Sequence, residues 1–288
     1  MKIETAETAG FCFGVQRAVD TVKEFCGKCD KVYTYGPVVH NEDVVRELSD
    51  MGISVIDSED GLDSLQEGEC IVIRAHGVPE ATVEKMRSSG ADVVDATCPF
   101  VAKIHKTVVR ESSEGRKVII VGRKEHPEVI GIMGWCPGEC SVIADIDEAG
   151  DYIRKNLENK GFPTTIVAQT TYNHEKFQDI VELFKKNSYN VKAVDTVCGA
   201  TRERQSEAGE LAGRVQAMIV IGGRNSSNSA KLYEICKERC EKTLFISSAS
   251  ELDPELLKGA EHIGITAGAS TPKQIIEEVI ENVRRTDI

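Results

Sequence analysis

The sequence is informative first through what it lacks. No run approaches the roughly 18 consecutive apolar residues that a membrane span requires, and the first residues lack the apolar core of a signal peptide. We therefore expect a cytoplasmic protein that does not enter a membrane. Basic residues are in deficit, 35 Lys and Arg against 47 Asp and Glu, which gives a formal net charge of −12. This balance argues against nucleic acid as a partner.

Length and composition are those of an ordinary soluble globular protein. The 288 residues are 41% hydrophobic and 28% charged, and a chain of this length favours two or three domains. The sequence also contains 10 cysteines. In a protein expected to stay in the cytoplasm, such cysteines are more often free, metal-bound or redox-active than paired in disulfides.

A pattern with a fixed spacing occurs three times along the chain. It begins with a cysteine before a helix-like segment, continues with a glycine 24 residues later that ends a β-rich run, and closes with a polar residue four positions beyond. The members are Cys12, Gly36 and His40, then Cys98, Gly122 and His126, then Cys198, Gly222 and Ser226. A later β-rich run in each repeat is followed by His76, Thr170 or Ser270. Spacing that is kept three times predicts three related structural units.

Strand and helix patterns alternate within each repeat, which favours parallel sheets covered by helices. The third repeat lacks a last strand, and Lys2–Thr5 can supply it. The sequence therefore predicts an α/β fold, a trefoil of three pseudo-threefold-related α/β domains that each contain a small, mainly parallel sheet. The predicted domains are 13–97, 98–197, and 198–288 completed by 1–12. Ligands of such sheets bind beyond the carboxyl ends of the strands, where the cysteines and polar residues are predicted to lie.

Threefold symmetry would bring Cys12, Cys98 and Cys198 together at the centre of the trefoil. Each would lie at a helix N-terminus, where the helix dipole favours a thiolate. Three thiolates suit a [4Fe–4S] cluster in which one iron has no protein ligand and is open to substrate. Catalytic zinc and buried structural cysteines are the alternatives. No functional role is expected for the other cysteines, which are Cys26, Cys29, Cys70, Cys136, Cys140, Cys236 and Cys240.

Histidines at predicted strand ends indicate an anion site. A single histidine in such a position is usually structural, but His40, His76 and His126 would converge on one axis and could donate hydrogen bonds to an anion. Metal ligation is the other role open to them, although the softer cysteine sulfurs compete for a metal. Glu128 follows His126 by two residues and is the candidate proton donor.

The segment Gly222–Ser229 predicts a binding loop for phosphate groups. It combines glycine, hydroxyl and amide groups just ahead of a helix expected from Ala230, and a helix N-terminus attracts anions. The loop is not a Walker motif, because the Gly-Lys-Ser/Thr ending is absent. Plain capping of the helix by a serine is the alternative.

Nine segments together carry a resemblance to a known family. They are Ala9-Gly-Phe-Cys12-Phe-Gly-Val, Pro37-Val-Val-His40-Asn41, Arg74-Ala-His76-Gly-Val, Asp95-Ala-Thr-Cys98-Pro, Glu125-His126-Pro-Glu128, Gln169-Thr170-Thr171, Asp195-Thr-Val-Cys198, Asn225-Ser-Ser-Asn-Ser229 and Thr266-Ala-Gly-Ala-Ser270. These segments span nearly the whole chain. They resemble the family of 4-hydroxy-3-methylbut-2-enyl diphosphate reductases.

The resemblance implies an oxidoreductase of the non-mevalonate route to isoprenoid precursors. Such an enzyme removes the hydroxyl group of its allylic diphosphate substrate as water, with two electrons and two protons, and yields isopentenyl and dimethylallyl diphosphate. Electrons would come from a small reduced carrier such as ferredoxin or flavodoxin.

The resemblance also implies roles for particular residues. Cys12, Cys98 and Cys198 would hold the [4Fe–4S] cluster with one iron open to substrate. The diphosphate would lie among His40, His76, His126, Ser226, Ser227, Asn228 and Ser270. Thr170 would bind the hydroxyl region and help relay a proton from Glu128, with His126 also in the catalytic set.

Two other functions compete with this interpretation. A non-redox lyase or synthase, such as quinolinate synthase, also places three cysteines around one cluster, but it would not need the Ser226–Asn228 loop together with His126 and Glu128. A non-catalytic carrier of a cluster or of zinc would not need a polar pocket that faces the metal.

Overall fold

Strands and helices alternate along the computed structural model of the protein, which describes residues Met1–Arg285. The strands are β1 (Lys2–Thr5), β2 (Val32–Tyr35), β3 (Ser54–Ile56), β4 (Cys70–Ile73), β5 (Asp92–Asp95), β6 (Lys117–Val121), β7 (Cys140–Ile143), β8 (Thr164–Ala168), β9 (Val191–Ala193), β10 (Ala217–Ile221), β11 (Thr243–Ile246) and β12 (His262–Ala267). The helices are α1 (Phe13–Phe25), α2 (Glu42–Asp50), α3 (Glu80–Ser88), α4 (Pro99–Ser113), α5 (Pro127–Gly134), α6 (Ile146–Lys155), α7 (His174–Lys186), α8 (Gly199–Ala212), α9 (Ser227–Arg239) and α10 (Lys273–Arg285). Within residues 1–285, no helix combines the length and apolar character that crossing a membrane would need.

The strands form three sheets of four parallel strands each. The first sheet has the order β3-β2-β4-β5, the second β7-β6-β8-β9, and the third β1-β12-β10-β11. Each sheet therefore places its strands in an equivalent order, with the N-terminal strand β1 in the edge position that β5 and β9 occupy in the other two. β1 pairs with β12 in parallel, Ile3 opposite Ile263, which confirms that the N-terminus completes the third sheet. The predicted α/β class with three repeated sheets is confirmed.

Helices cover both faces of the second sheet, because its central strands are apolar on both sides. Ile119 and Ile166 on neighbouring strands pack in one core cluster with Phe177 of α7. The next residues along the same strands, Ile120 and Val167, pack in a second cluster with residues of α4 and α5. Alternation of side chains across the sheet produces this division, and it fixes α5 above the sheet with its N-terminus at the carboxyl edge.

Contacts divide the chain into two compact units, each described by itself. One comprises 1–16, 39–50 and the chain from Gly199 onward, and it contains the third sheet. The other comprises 17–38 and 51–198, and it contains the first and second sheets. The three domain boundaries drawn from the sequence remain predictions.

Candidate active site

The predicted site residues follow strand ends in both units. In the unit with the first and second sheets, His76 follows β4, Cys98 follows β5, His126 follows β6, Thr170 follows β8 and Cys198 follows β9. In the other unit, Cys12 follows β1, Ser226 follows β10 and Ser270 follows β12. Carboxyl ends of neighbouring parallel strands share one edge of a sheet, which is where ligands of such sheets bind.

Glu128 and Thr170 form a buried hydrogen-bonded pair. The Thr170 backbone N–H donates to Glu128 Oε1 at 2.6 Å, and the Thr170 hydroxyl donates to Oε2 at 2.6 Å. Glu128 is only 1% exposed, and Thr170 is 7% exposed. α5 supplies the carboxyl group from its first turn and the end of β8 supplies the threonine, so two elements that pack on each other fix the geometry.

Burial controls the protonation of Glu128. Loss of hydration raises the pKa of its carboxyl group from 4.5 to about 7, while the two hydrogen bonds from Thr170 oppose that rise. A carboxylic acid with a pKa near neutrality can hold a proton and release it at the pH of the cell, as a general acid must.

The raised pKa of Glu128 should make the free energy of unfolding depend on pH. At low pH both the folded and the unfolded chain hold the proton, and the burial of Glu128 has no pH-linked cost. As the pH rises from about 4.5 through 7, Glu128 ionises in the unfolded chain but stays protonated in the folded protein. This difference favours the unfolded chain, so the free energy of unfolding falls over that pH range. Between pH 5 and pH 8, the free energy of unfolding of the wild type should fall by about 2 to 3 kcal/mol relative to that of Glu128→Gln. Urea unfolding of both proteins at the two pH values measures the difference, and parallel stability curves would contradict the raised pKa.

His126 is fixed by the same turn of α5. It is the N-cap of the helix, and its Nδ1 accepts the Glu128 backbone N–H at 3.1 Å. An accepting Nδ1 leaves the proton of the neutral ring on Nε2, where it can donate to a ligand. The His76 ring meets the His126 ring edge to face, with centroids 5.6 Å apart. Two imidazoles thus lie next to the Glu128 turn.

Arg74 is a candidate that the sequence interpretation did not single out. Its guanidinium occupies the space beside Gly36, where a Cβ would stand 2.0 Å from Nη1. Burial lowers the pKa of Arg74, and its Nε has no hydrogen-bond partner among the described residues. A partly buried cation two residues before His76 is suited to attract an anion to this edge. Gly36 and Arg74 directly follow the neighbouring strands β2 and β4. A glycine and an arginine at these two strand ends were the feature of the sequence that could have indicated this contact.

Ser226 begins the loop-to-helix junction in the other unit. Its Oγ accepts the Ser229 backbone N–H at 3.3 Å, so Ser226 is the N-cap and α9 begins at Ser227. The expected helix start at Ala230 is wrong because the serine run itself forms the first turn. Capping and anion binding are compatible here, since N–H groups in the first turn of an α-helix have no acceptor within the helix and attract anions.

Buried polar atoms surround this junction. The side-chain amide of Asn228 and the hydroxyl of Ser270 are buried and have no hydrogen-bond partner within residues 1–285. Buried polar atoms normally have partners, so atoms without one indicate a ligand position. His40 lies beside this loop, because a Cβ at Gly223 would stand 2.3 Å from the His40 carbonyl oxygen. Glycine at 223 is therefore required for the close approach.

The three repeat cysteines share one backbone connection. Their N–H groups donate to the carbonyl group at the end of the neighbouring strand of the same unit: Cys12 to Ala269 at 3.2 Å, Cys98 to Ala75 at 3.0 Å and Cys198 to Thr170 at 3.0 Å. Each cysteine directly precedes a helix, none of the three is in a disulfide, and each is partly exposed. Cysteine sulfur is a soft ligand that binds iron and zinc. The donor chemistry of these residues therefore fits an iron–sulfur cluster.

Two of the other cysteines differ from expectation. Cys29 and Cys70 form a disulfide, with Cα atoms 5.9 Å apart, although pairing was not expected. Cys70 is fully buried at the start of β4 and its N–H donates to the Lys31 carbonyl, so the chain before β2 already lies against it. Cys70 is therefore part of the core. Cys236 and Cys240 are likewise buried in a core cluster.

Comparison with known proteins gives matches over nearly the whole chain. The model of a family described as LytB protein matches residues 3–284. The 4-hydroxy-3-methylbut-2-enyl diphosphate reductase of Thermoanaerobacter sp. (strain X514) is 44% identical over 286 residues, which cover 99% of this chain and 97% of that protein. The protein of the same name from Aquifex aeolicus (strain VF5) is 41% identical, with 97% and 94% covered.

Solved structures give the same picture. A structure of (E)-4-hydroxy-3-methyl-but-2-enyl diphosphate reductase, the terminal enzyme of the non-mevalonate pathway, aligns with a TM-score of 0.71 at 40% identity and covers 99% of this chain and 100% of that one. The E-1-hydroxy-2-methyl-but-2-enyl-4-diphosphate reductase from Plasmodium falciparum aligns with a TM-score of 0.91 at 27% identity and covers 99% and 89%.

Proposed function

Because this chain belongs to the LytB protein family, we propose that it is a 4-hydroxy-3-methylbut-2-enyl diphosphate reductase. It is an oxidoreductase of the non-mevalonate route to isoprenoid precursors. The reaction adds two electrons and two protons to the allylic alcohol, expels its hydroxyl oxygen as water and leaves isopentenyl or dimethylallyl diphosphate. The observation that carries the chemistry is the buried Glu128–Thr170 pair, a proton source with a pKa of about 7.

The enzyme is an iron–sulfur protein, and its proposed cluster ligands are Cys12, Cys98 and Cys198. The cluster would be of the [4Fe–4S] type, with three cysteine ligands and one iron open to substrate. Support comes from the repeated position of the three thiols, each at a helix N-terminus next to a strand end. When bound, the cluster supplies the electrons and a Lewis-acidic iron that weakens the carbon–oxygen bond.

The diphosphate site is proposed to draw donors from three repeats. They are His40, His76, His126, Ser226, Ser227, Asn228 and Ser270. The orphaned amide of Asn228 and hydroxyl of Ser270 support this assignment. Hydrogen bonds to a charged phosphate oxygen contribute about 1.5–3 kcal/mol each, so several neutral donors can bind a diphosphate in a protein whose net charge is −12.

Glu128 is proposed to supply the proton that the departing hydroxyl group takes up. The Thr170 hydroxyl, which donates to Glu128 Oε2, can turn to bridge the carboxylic acid and the substrate oxygen. His126, held by the Glu128 backbone, orients the substrate from the same turn. Burial of all three residues keeps bulk water away from the reacting atoms.

Electrons are proposed to come from a small reduced carrier such as ferredoxin or flavodoxin, with the reaction in the cytoplasm. The test of the whole proposal is an anaerobic preparation analysed for iron and sulfide and assayed with the allylic alcohol diphosphate and reduced viologen. We expect a coloured iron–sulfur protein that consumes the substrate. A colourless protein with one zinc ion, or an iron–sulfur protein with no reductase activity, would contradict it.

Asn228→Ala should weaken substrate binding. The amide would lose its contacts to the diphosphate, and one charge-assisted interaction corresponds to an increase in KM of about 10- to 100-fold. Asn225→Ala is the matched control, since Asn225 is exposed in the same loop and should keep the wild-type KM. Steady-state kinetics of the two variants decide the role of Asn228, and an equal KM in both would remove it from the site.

A further inference from the structure

A cavity separate from the proposed active site lies in the unit with the first and second sheets. Its volume is about 390 Å³, within the range of sites for small molecules. Most of its wall is apolar, and the apolar lining includes Ile73, Val78, Val83, Ala102, Val109 and Trp135. None of the proposed cluster, diphosphate or proton-transfer residues is part of this lining. The cavity is therefore distinct from the proposed active site.

Two stacked rings make one wall of the cavity rigid. His105 of α4 and Trp135 lie nearly parallel, with centroids 5.4 Å apart and an interplanar angle of 16°. The Trp135 indole N–H donates to the Val78 carbonyl oxygen at 2.8 Å, which fixes the ring. Burial lowers the pKa of His105 to about 4, so the imidazole stays neutral and the wall carries no charge at physiological pH. A preformed aromatic wall of this kind suits an apolar body.

The rim of the cavity is charged, and two of its charges come from one face of α4. Lys106 and Arg110 are one helical turn apart, and both are exposed residues that line the cavity. Arg110 also binds Glu111 through Nε and Nη2, and the Asp95 carboxylate accepts the Thr97 N–H at 2.8 Å. Each of those charges already has a local interaction, which leaves Lys106 as the cation best placed to meet a charged ligand group.

We propose that this cavity is a second binding site, for a small amphiphile with an unbranched apolar body and a single anionic group. A medium-chain carboxylate has this chemistry. Its chain would lie along the His105–Trp135 wall and its carboxylate would meet Lys106 at the rim. The combination of apolar walls with a cation at the mouth favours this class over a neutral hydrocarbon, which would gain nothing from Lys106, and over a polar metabolite, which would lose hydration against the walls.

A chain-length series tests the proposal on the anaerobically purified, full-length, iron-loaded protein. Calorimetric titration with hexanoate, octanoate and decanoate should give saturable binding that tightens about three- to fourfold per added methylene. Trp135 is the only tryptophan of the chain, so its emission should change along the same binding curve. Octanol should bind more weakly than octanoate. Absence of saturable binding, an unchanged Trp135 emission, or equal affinity for octanol would overturn the proposal.

Variants on α4 locate the ligand. Val109→Glu places a carboxylate in the apolar lining and should weaken octanoate binding at least tenfold, while Lys106→Ala should weaken it about fivefold through loss of one exposed charge contact. Lys103→Ala removes a similar exposed charge from the same helix outside the lining and should leave the affinity unchanged. Equal affinities in the Lys106 and Lys103 variants, or full affinity in the Val109 variant, would contradict the assigned pose.

Discussion

Cys198→Ser should yield a folded protein that neither holds its iron–sulfur cluster nor reduces the allylic diphosphate. A serine hydroxyl is far less acidic than a thiol and does not provide the soft anionic ligand that iron–sulfur clusters need. With two cysteine ligands left, the cluster should be lost during purification. Iron and acid-labile sulfide should therefore fall together with the visible absorption, and viologen-dependent turnover should disappear.

Cys26→Ser is the matched control for this loss. Cys26 is a free, partly exposed thiol whose Sγ donates only to the Met51 carbonyl at 3.3 Å among its described contacts, so its replacement should leave iron content and turnover unchanged. Cys12→Ser and Cys98→Ser should behave like Cys198→Ser, because the backbone places the three thiols in equivalent positions. A fully active, cluster-loaded Cys198→Ser protein would show that the ligand set is wrong.

The threefold spacing of the sequence predicted three related structural units, and in the structure the backbone hydrogen bonds at the spaced glycines repeat as well. The N–H groups of the three glycines in the pattern donate to the carbonyl at the end of the adjacent strand: Gly36 to Ile56, Gly122 to Ile143 and Gly222 to Ile246. Strand order then repeats in the three sheets, because each repeat of the sequence is built from the same parallel crossover connections. Fixed spacing between chemically distinctive residues carries this information without any knowledge of the packing.

Details that depend on local capping were not predictable in the same way. His126 and Ser226 are N-caps, but in the first repeat Asn41 takes that place, one residue after His40, and accepts the N–H groups of Asp43 and Val44. The three polar positions are therefore equivalent in spacing and not in local structure. Hydrogen bonds to residues a few positions away decide which residue caps the helix. The spacing of the repeat carries no information about those bonds.

Features that depend on tertiary contacts were beyond the sequence for a different reason. The partly buried setting of Arg74 depends on the absence of a side chain at Gly36, just after the neighbouring strand β2, and the Cys29–Cys70 disulfide depends on strand pairing. Neither pair is close in sequence. The Glu128–Thr170 pair belongs to the same class: both residues were singled out, but their double hydrogen bond and the raised pKa of Glu128 follow only from the packing of α5 against the end of β8.

Glu128→Gln should keep the cluster and the substrate affinity but slow turnover by roughly 10²–10⁴, the usual contribution of a positioned general acid. Glutamine has nearly the same shape and can still accept the Thr170 N–H, yet it has no acidic proton to give to the departing hydroxyl group. In the wild type, kcat/KM should fall as the pH rises above about 7, because the carboxyl group loses its proton there. The variant should lack that part of the pH profile.

Glu125→Gln is the matched control for this experiment, since Glu125 is exposed in the turn before α5 and should retain both the rate and the pH profile of the wild type. The comparison separates proton transfer from a structural role. A Glu128 side chain that only supported the fold would, when replaced, lower cluster content or raise KM without changing the shape of the pH profile. Wild-type turnover in Glu128→Gln, or an unchanged decline above pH 7, would remove Glu128 from proton transfer and leave the Thr170 hydroxyl without its proton source.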